Sequence, residues 1–246
     1  MTEFISAANL PARHAFFTRR GGVSSGYYAS LNCSFSTDDL LCVRENRARA
    51  AGAFGISYSS LLGLKQVHGK SVVIVTSPWV EGEGPQADAF VTNIPGLTLG
   101  IITADCAPVL FFGDNGAVGA AHAGWRGALA GVLEETVQAL HSLGAVKIKA
   151  AIGPCIHQSS YEVGLDLRNA ILAEAPASAR FFVAGRVDHF WFDLPAYCAS
   201  RLLRAGINAE ILPHDTYADE ARFFSYRRKT LRHEPATGHQ ISIICS

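Results

Sequence analysis

The chain has 246 residues, of which 49% are hydrophobic and 17% charged, as in compact soluble proteins that bury a substantial core. Its 21 basic and 21 acidic side chains balance, so we predict neither nucleic acid nor a membrane as a partner. The N-terminal residues lack the basic segment of a signal peptide, and no apolar run approaches the roughly 20 residues that span a bilayer. Six cysteines without a secretory signal predict reduced thiols in a cytoplasmic protein.

The first half of the chain predicts one helix followed by several strands. Asp38 and Asp39 supply negative charge at the start of a helix over residues 40–54, which Gly55 ends. The residues Asp114-Asn115-Gly116 predict a hairpin turn, because Asn-Gly supplies the positive φ that such turns need. Residues 81–85 have the composition of a surface loop, and the predicted strands are residues 71–76, 87–91, 97–103, 108–113 and 117–122.

The second half alternates helices with short strands. Apolar residues at helical spacing predict a helix over residues 129–143, and Asp193 begins another helix that Gly206 ends. We also predict a helix over residues 164–174, with strands over residues 146–152, 207–212, 222–226 and 240–245. Since no linker or repeat interrupts the chain, and the hairpins argue against a regular βαβ arrangement, the prediction is one α+β domain over residues 1–246.

A thiol and two imidazoles stand at the ends of strand-like runs and form a candidate reaction centre. They are His68, Cys106 and His122, and such a trio matches catalytic zinc, which keeps a fourth position open. Taken singly, His68 would more often be a turn or surface histidine, whereas Cys106 is equally consistent with a buried small hydrophobe. His122 differs because Gly119 and Gly124 leave the backbone bare around it.

The same atoms also allow a different chemistry. Cys106 could act as a nucleophile with His122 as its base. Asp105 would point the other way along the strand and cap a helix or a turn. The two interpretations are separable, because a metal centre loses activity to a chelator whereas a thiol–imidazole pair is alkylated and ignores chelation.

Copper oxidase chemistry has little support in the sequence. A multicopper centre needs histidines in His-x-His pairs, and the nine histidines of this chain contain none. Met1 is the one methionine, so a blue-copper site with an axial methionine is disfavoured. Zinc is therefore the predicted metal, with copper as the less favoured alternative.

The segment Gly124-Trp125-Arg126-Gly127 lies between a strand and a predicted helix. Free N–H groups at a helix start attract anions, and Arg126 can add a bidentate grip on phosphate. The alternative is that Trp125 packs in the core and Arg126 caps the surface. Cys155 is predicted to be a buried structural thiol rather than a second active-site thiol. Arg227 and Arg228 would bind an acidic substrate or form salt bridges, with a structural role for at least one of them.

Several of these motifs together resemble the YfiH family, whose members have been labelled laccase-domain or polyphenol oxidase proteins, purine nucleoside phosphorylases and peptidoglycan editing factors. The resemblance runs in order from about Asn32 to Gln240. The matching motifs are Gln66-Val67-His68-Gly69, Ala104-Asp105-Cys106, His122-Ala123-Gly124-Trp125-Arg126-Gly127, Ile152-Gly153-Pro154-Cys155-Ile156, Phe192-Asp193-Leu194 and Phe224-Ser225-Tyr226-Arg227-Arg228.

The resemblance implies a single α+β domain whose mixed β-sheets are covered by helices. It implies that His68, Cys106 and His122 bind zinc and form the catalytic centre. Asn32 and Arg47 fall where the family has characteristic polar residues and would line the substrate pocket, with Arg126 at the phosphate. Two departures put substrate preference in doubt: Asp215-Thr216 stands where the family often has Cys-Thr, and His239 where it usually has Arg.

The implied activity is phosphorolysis of adenosine, inosine and methylthioadenosine, with adenosine deamination. The partners are then purine nucleosides and phosphate, and we expect a monomer or a weak homodimer. Two alternatives stay open at this stage. One is a hydrolase that edits peptidoglycan precursors, with Cys106 as nucleophile or zinc ligand. The other is a non-catalytic partner protein with a metal-stabilised fold.

Overall fold

Two β-sheets lie face to face in the computed structural model, which describes residues 2–36 and 38–246. The strands in chain order are β1 (Phe4–Ile5), β2 (His14–Phe17), β3 (Leu61–Leu62), β4 (Val72–Ile74), β5 (Ala89–Thr92), β6 (Thr98–Thr103), β7 (Ala107–Gly113), β8 (Val118–Ala123), β9 (Ile148–Ile152), β10 (Glu162–Gly164), β11 (Phe182–Ala184), β12 (His189–Phe192), β13 (Ala209–Ile211) and β14 (Gln240–Cys245). The α-helices are α1 (Leu40–Ala53), α2 (Trp125–Ala130), α3 (Val132–Ser142), α4 (Leu165–Glu174), α5 (Leu194–Arg204) and α6 (Tyr226–Leu231).

The larger sheet has the strand order β13-β9-β7-β8-β5-β4, and the second has the order β1-β2-β14-β6-β3. A small third sheet has the order β10-β12-β11. Most neighbours are antiparallel, but β3–β6, β4–β5 and β9–β13 are parallel. The predicted α+β class with mixed sheets is therefore confirmed.

The hydrophobic core is divided among three interfaces between layers. Between the two larger sheets, side chains such as Leu99 and Ile101 of β6 face Phe90 of β5 and Leu110 of β7. The outer face of the larger sheet packs against α3 and α5, and the outer face of the second sheet packs against α1. The order of layers is thus helix, sheet, sheet, helix. Strands buried on both faces explain why their sequences are apolar runs rather than alternating patterns.

Most of the predicted elements are present with shifted ends. The Asp39 carboxylate accepts hydrogen bonds from the N–H groups of Leu41 and Cys42 at the start of α1, as a helix cap does. The hairpin between β7 and β8 turns at Gly116, whose φ is +87°, as predicted. All six cysteines are free thiols. Among the described residues, every helix falls short of the length and apolar character that crossing a membrane requires.

Two element predictions are wrong. The helix expected over residues 129–143 is two helices, because Gly131 adopts a left-handed φ of +101° that ends α2 and begins α3. Residues 222–226 form no strand. The Arg228 guanidinium instead binds the carbonyls of Phe223, Thr216 and Tyr217, which satisfies them without a neighbouring strand. The short strands β1, β2, β3, β10, β11 and β12 and the helix α6 were not predicted.

Candidate metal centre and adjoining cavity

One edge of the larger sheet brings the predicted thiol and imidazoles together. The strands β7, β8, β5 and β4 are neighbours, and Cys106 directly precedes β7 while His122 lies near the end of β8. Pairing of β7 with β8 sets Ala107 opposite Ala123, so Cys106 lies beside Gly124. His68 lies in the turn that leads into β4. The sheet register, rather than spacing along the chain, creates this cluster.

The three side chains converge on one point. The Cys106 Sγ lies 3.9 Å from the His68 Nε2, and the two imidazole rings pack edge to face with centroids 4.7 Å apart. The ligand atoms of all three residues lie within 4.8 Å of one another. His122 is buried and His68 exposed, so the cluster opens toward solvent on the His68 side. This cluster can bind a metal ion.

The donor set and the local backbone both suit zinc. Two imidazoles and a thiol are borderline-soft donors, and three protein ligands with one side open are the arrangement of catalytic zinc sites. A Cβ added to Gly124 would lie 2.9 Å from the Cys106 Sγ and 3.2 Å from the His68 Cδ2. The glycine therefore leaves the space in which the sulfur and the ring meet.

Sequence reasoning missed Asp88, which lies beneath this cluster and has no solvent exposure. One carboxylate oxygen, Oδ1, lies 2.8 Å from the His122 Nδ1 and accepts the His68 N–H at 2.9 Å. The other oxygen, Oδ2, accepts the N–H groups of Gly69 at 2.6 Å and Val67 at 3.2 Å. The available signal was a carboxylate inside the apolar run over residues 87–91.

The turn that carries His68 has an unusual backbone. His68 has a φ of +59°, a left-handed conformation that residues other than glycine adopt rarely. Three consecutive N–H groups then point at the same carboxylate and form an anion-binding nest. Burial opposes ionisation of Asp88, but hydrogen bonds from His122 and from the turn outweigh burial and lower the pKa of its carboxyl.

The protons of Cys106 and His122 are coupled. Burial raises the pKa of the Cys106 thiol, but the charge and hydrogen bonds of His122 and then of His68 outweigh burial and lower it to about 6. Burial lowers the pKa of His122, whereas Cys106 and Asp88 raise it to about 9. A thiolate facing an imidazolium is therefore the favoured metal-free state near neutral pH. A thiolate is also the form of cysteine that binds metals.

Asp105 points away from the cluster, as expected. Its carboxylate accepts the hydroxyl protons of Thr216 at 2.7 Å and Ser225 at 2.9 Å, and the N–H of Arg227 at 2.6 Å. Burial raises the pKa of Asp105, against the effect of these hydrogen bonds. Ser225 is the N-cap of α6 and accepts the Arg228 N–H, and Asp105 supports this cap by accepting the Ser225 hydroxyl and the Arg227 N–H of the first turn.

A cavity of about 330 Å³ lies near the cluster, and its lining residues do not include the three cluster residues. Its volume is suited to a small-molecule ligand. Three arginines, Arg126, Arg186 and Arg227, line it together with the aromatic rings of Trp125 and Tyr161. Arg186 is paired with Glu162 at 3.1 Å. The Arg126 guanidinium lies 4.4 Å from the Trp125 ring centroid, and that of Arg227 lies 5.4 Å from the Tyr161 centroid. Two lining residues connect the cavity to the cluster: Trp125 directly follows Gly124, which lies against the Cys106 sulfur, and the Arg227 N–H donates to Asp105, the neighbour of Cys106.

The anion site predicted at Gly124-Trp125-Arg126-Gly127 differs in part from expectation. Arg126 faces the cavity rather than the core, but α2 spans only Trp125–Ala130, so a long helix does not stand behind the turn. Gly127 allows close packing of chain segments, because a Cβ there would lie 2.9 Å from the Gly69 carbonyl oxygen. Any anion affinity of this region must therefore rest mainly on the arginine side chains.

Asn32 and Arg47 lie outside the set of residues that line this cavity. Both are buried. The Asn32 side chain accepts the His239 N–H at 2.9 Å and donates to Asp38 at 2.9 Å. The Arg47 guanidinium donates to the Cys33 carbonyl at 3.3 Å and lies 5.2 Å from the Phe35 ring centroid. The structure thus brings Asn32 to the segment before β14 and leaves Arg47 on the α1 side.

Some of the other residues singled out in the sequence have structural roles, and others face the cavity or the cluster. Cys155 is buried, and burial raises the pKa of its thiol well above the ordinary value. Arg228 binds backbone carbonyls, so Arg227 is the arginine of that pair that faces the cavity. Asp215 accepts the Ser160 hydroxyl at 2.5 Å. Burial and then the charges of His122 and His68 lower the pKa of His239 to about 4, so a neutral imidazole lies near the cluster.

Sequence comparison assigns the chain to a known family. Residues 13–246 match the sequence profile of a family described as "Multi-copper polyphenol oxidoreductase laccase". The chain is 41% identical to "Purine nucleoside phosphorylase YfiH" of Escherichia coli, over 92% of this chain and 90% of the relative. The chain belongs to the YfiH family. A "Purine nucleoside phosphorylase" of Deinococcus radiodurans is 40% identical over 91% of this chain and 87% of its own length.

Solved structures of other YfiH proteins share the fold. YlmD from Geobacillus stearothermophilus superimposes with a TM-score of 0.90 at 28% identity, over all of this chain and 99% of its own. Protein NMB0706 from Neisseria meningitidis gives a TM-score of 0.87 at 33% identity, over 99% and 98% of the two chains. The family description and the names of the relatives thus point to different chemistries, a copper oxidase in the first case and a nucleoside phosphorylase in the second.

Proposed function

We propose that this YfiH protein is a zinc-dependent purine nucleoside phosphorylase that acts on adenosine, inosine and methylthioadenosine and also deaminates adenosine. The observation that supports it most directly is the presence of a cavity lined by three arginines, Arg126, Arg186 and Arg227, near the His68–Cys106–His122 cluster. The names of relatives at 40–41% identity point the same way. A donor set of two imidazoles and a thiol, without the His-x-His pairs of multicopper centres, favours zinc over copper.

In this proposal the cluster and the cavity have separate tasks. His68, Cys106 and His122 hold the metal, which supplies Lewis-acid chemistry when bound. Arg126 and Arg227 bind the phosphate, which forms a bond to the anomeric carbon of the ribose as the bond to the purine base breaks. The positions of both guanidinium groups against aromatic rings limit their motion, so the phosphate would be held in one orientation. In deamination, water adds to C6 of the purine, the amino group on that carbon leaves as ammonia, and the bond to the ribose stays intact.

The test incubates purified protein with each nucleoside, with and without phosphate, separates the products and measures bound metals on the same sample. Phosphorolysis gives free base and ribose 1-phosphate only when phosphate is present, whereas deamination gives inosine from adenosine without phosphate. Cys106→Ala should lose zinc and turnover, and Cys42→Ala in α1 is the control. Retention of zinc and full turnover by the Cys106→Ala variant would overturn the proposal, and oxidation of a phenol only after copper loading would favour an oxidase.

A second candidate function rests on the chain of contacts from Cys106 through His122 to Asp88. The thiol faces an imidazole whose other nitrogen lies 2.8 Å from a buried carboxylate, which is the order of groups in a nucleophile, a base and an orienting acid. This order suits a hydrolase that edits peptidoglycan precursors with Cys106 as its nucleophile. Turnover of such precursors that resists chelation and is abolished by alkylation supports it. Low turnover of every substrate, with a melting point that falls on chelation, instead favours a metal-stabilised partner protein.

A further inference from the structure

Asp88 contacts both histidines of the cluster. Its carboxylate accepts the backbone N–H of His68 and lies against Nδ1 of the His122 ring. We propose that Asp88 is the positioning residue of the metal centre: it fixes the orientation of His122 and the conformation of the turn that presents His68. This inference rests on the proposed metal binding but not on any particular nucleoside reaction.

The first part of the inference follows from the number of donors around the carboxylate. Each of its two oxygens receives two groups: Oδ1 receives the His68 N–H and the His122 Nδ1, and Oδ2 receives the N–H groups of Val67 and Gly69. An ionised carboxylate only accepts hydrogen bonds, so Nδ1 of His122 must carry a proton. The Nε2 of His122 is then left to face the Cys106 thiol and a metal ion.

An asparagine cannot reproduce this arrangement. Its side chain has one accepting oxygen and one donating NH₂ group, so one pair of donors would lose its partner. If the NH₂ group faced His122, the imidazole would have to accept at Nδ1 and carry its proton at Nε2. That proton would occupy the lone pair that a metal needs.

The second part concerns the turn over residues 67–69. Three successive N–H groups reach one carboxylate because His68 adopts its left-handed conformation, with φ of +59°. Such a conformation persists only where the surroundings determine it. Asp88 has no solvent exposure, so the carboxylate, rather than water, receives these N–H groups in the folded protein. Without the carboxylate, we expect the turn to relax and His68 to leave the cluster.

The experiment measures zinc affinity by competition with a chromophoric chelator for the wild-type protein, Asp88→Asn and Asp114→Asn. The Asp114 carboxylate also accepts a backbone N–H, that of Val146 at 2.9 Å, but it lies at the hairpin far along β7 from Cys106. We expect Asp88→Asn to weaken zinc binding about 10-fold to 100-fold, with a changed visible spectrum of the Co²⁺ form, and Asp114→Asn to bind as the wild type does. Zinc affinity of Asp88→Asn within about two-fold of wild type would overturn the inference.

A measurement on the unmodified protein decides the case if Asp88→Asn does not fold. Nitrogen-15 NMR of the histidine rings in the zinc-loaded wild type should find the His122 proton on Nδ1. A proton on Nε2 contradicts the inference. A wild-type protein that binds no zinc removes the proposed metal centre instead, and a protein that binds zinc without turning over nucleosides leaves the role of Asp88 intact. The failures of the two proposals are therefore distinguishable.

Discussion

Gly124 packs directly against the Cys106 sulfur: a Cβ on the glycine would lie 2.9 Å from the cysteine Sγ. Real Cβ atoms essentially never approach a neighbouring atom this closely, so the sulfur occupies space that any other residue at position 124 would take. The backbone of Gly124 is extended, with a φ of −69°. This glycine is therefore required by the space around the thiol and not by backbone strain.

We predict that Gly124→Ala displaces the Cys106 sulfur and lowers zinc affinity by at least 10-fold, with little change in the folded structure. The measurement is zinc content after dialysis, with circular dichroism on the same samples. Gly52→Ala is the matched control, because a Cβ at this position in α1 meets nothing within 4 Å. It should retain zinc and gain about 0.4–1 kcal/mol of unfolding free energy. Equal zinc content in both variants would contradict the prediction.

The reactivity of Cys106 should depend on pH in an unusual range. The pKa of this thiol is lowered to about 6, so the metal-free protein should have a reactive thiolate above pH 6 and lose it as the pH falls below that value. A free thiol loses its thiolate near pH 8.5. We therefore predict that iodoacetamide labels Cys106 half-maximally near pH 6 and that zinc protects it.

Mass spectrometry of the labelled peptides supplies the control for this prediction. Burial raises the pKa of Cys33 to about 12, so its thiol should stay unlabelled in the folded protein over the same range. A labelling midpoint for Cys106 above pH 8 would show that His122 and His68 do not stabilise the thiolate.

The sequence indicated the three cluster residues because each follows or precedes a strand-like run, and glycines stand near the two histidines. Asp88 could not be recognised in this way, since its partners are distant along the chain. The backbone N–H groups of residues 67–69 are brought near by the pairing of β4 with β5, and the His122 ring by the pairing of β5 with β8. The helices after Gly124 were predicted as one, because apolar spacing continues across Gly131 and does not reveal its left-handed φ. Residues 222–226 have the composition of a strand, but the Phe223 carbonyl accepts from the Arg228 guanidinium and the Arg222 carbonyl from the Arg19 N–H.

The cavity arginines should affect phosphate more than nucleoside. We predict that Arg126→Ala raises the KM for phosphate by about 10-fold to 100-fold, because a hydrogen bond to a charged group contributes about 1.5–3 kcal/mol. The KM for inosine should change by less than about three-fold. Initial rates at varied phosphate and fixed inosine check this.

Arg180, which also lies against an aromatic ring, provides the control for the Arg126→Ala variant. The Arg180 guanidinium lies 4.8 Å from the Phe181 ring centroid but does not line the cavity. Arg180→Ala should leave both KM values unchanged. If the two variants had the same KM for phosphate, Arg126 would be a surface cap, as the alternative interpretation of the sequence held.

Arg201 should determine stability without affecting the metal centre. Its side chain is 7% exposed and bridges α5 to three other helices. It forms an ion pair with Glu134 of α3, donates to Glu174 of α4 at 3.1 Å, and donates to the Leu129 carbonyl of α2 at 3.1 Å. Removal of one partner from a buried ion pair costs about 3–5 kcal/mol, because the other charge is left unpaired. Since Glu134 and Glu174 are partly exposed, the low end of that range applies.

We predict that Arg201→Ala lowers the unfolding free energy by about 3 kcal/mol and the melting temperature by roughly 6–12 °C. Arg204→Ala, one turn further along α5 at an exposed position, should change the free energy by less than about 0.5 kcal/mol. Chemical denaturation and thermal scans of both variants, in zinc-free and zinc-loaded forms, measure these differences. The stabilisation that zinc adds should be the same for wild type and Arg201→Ala, because Arg201 contacts helices and not the cluster. A smaller zinc contribution in Arg201→Ala would instead show that the helices behind α2 hold Gly124, and with it the Cys106 thiol, in place.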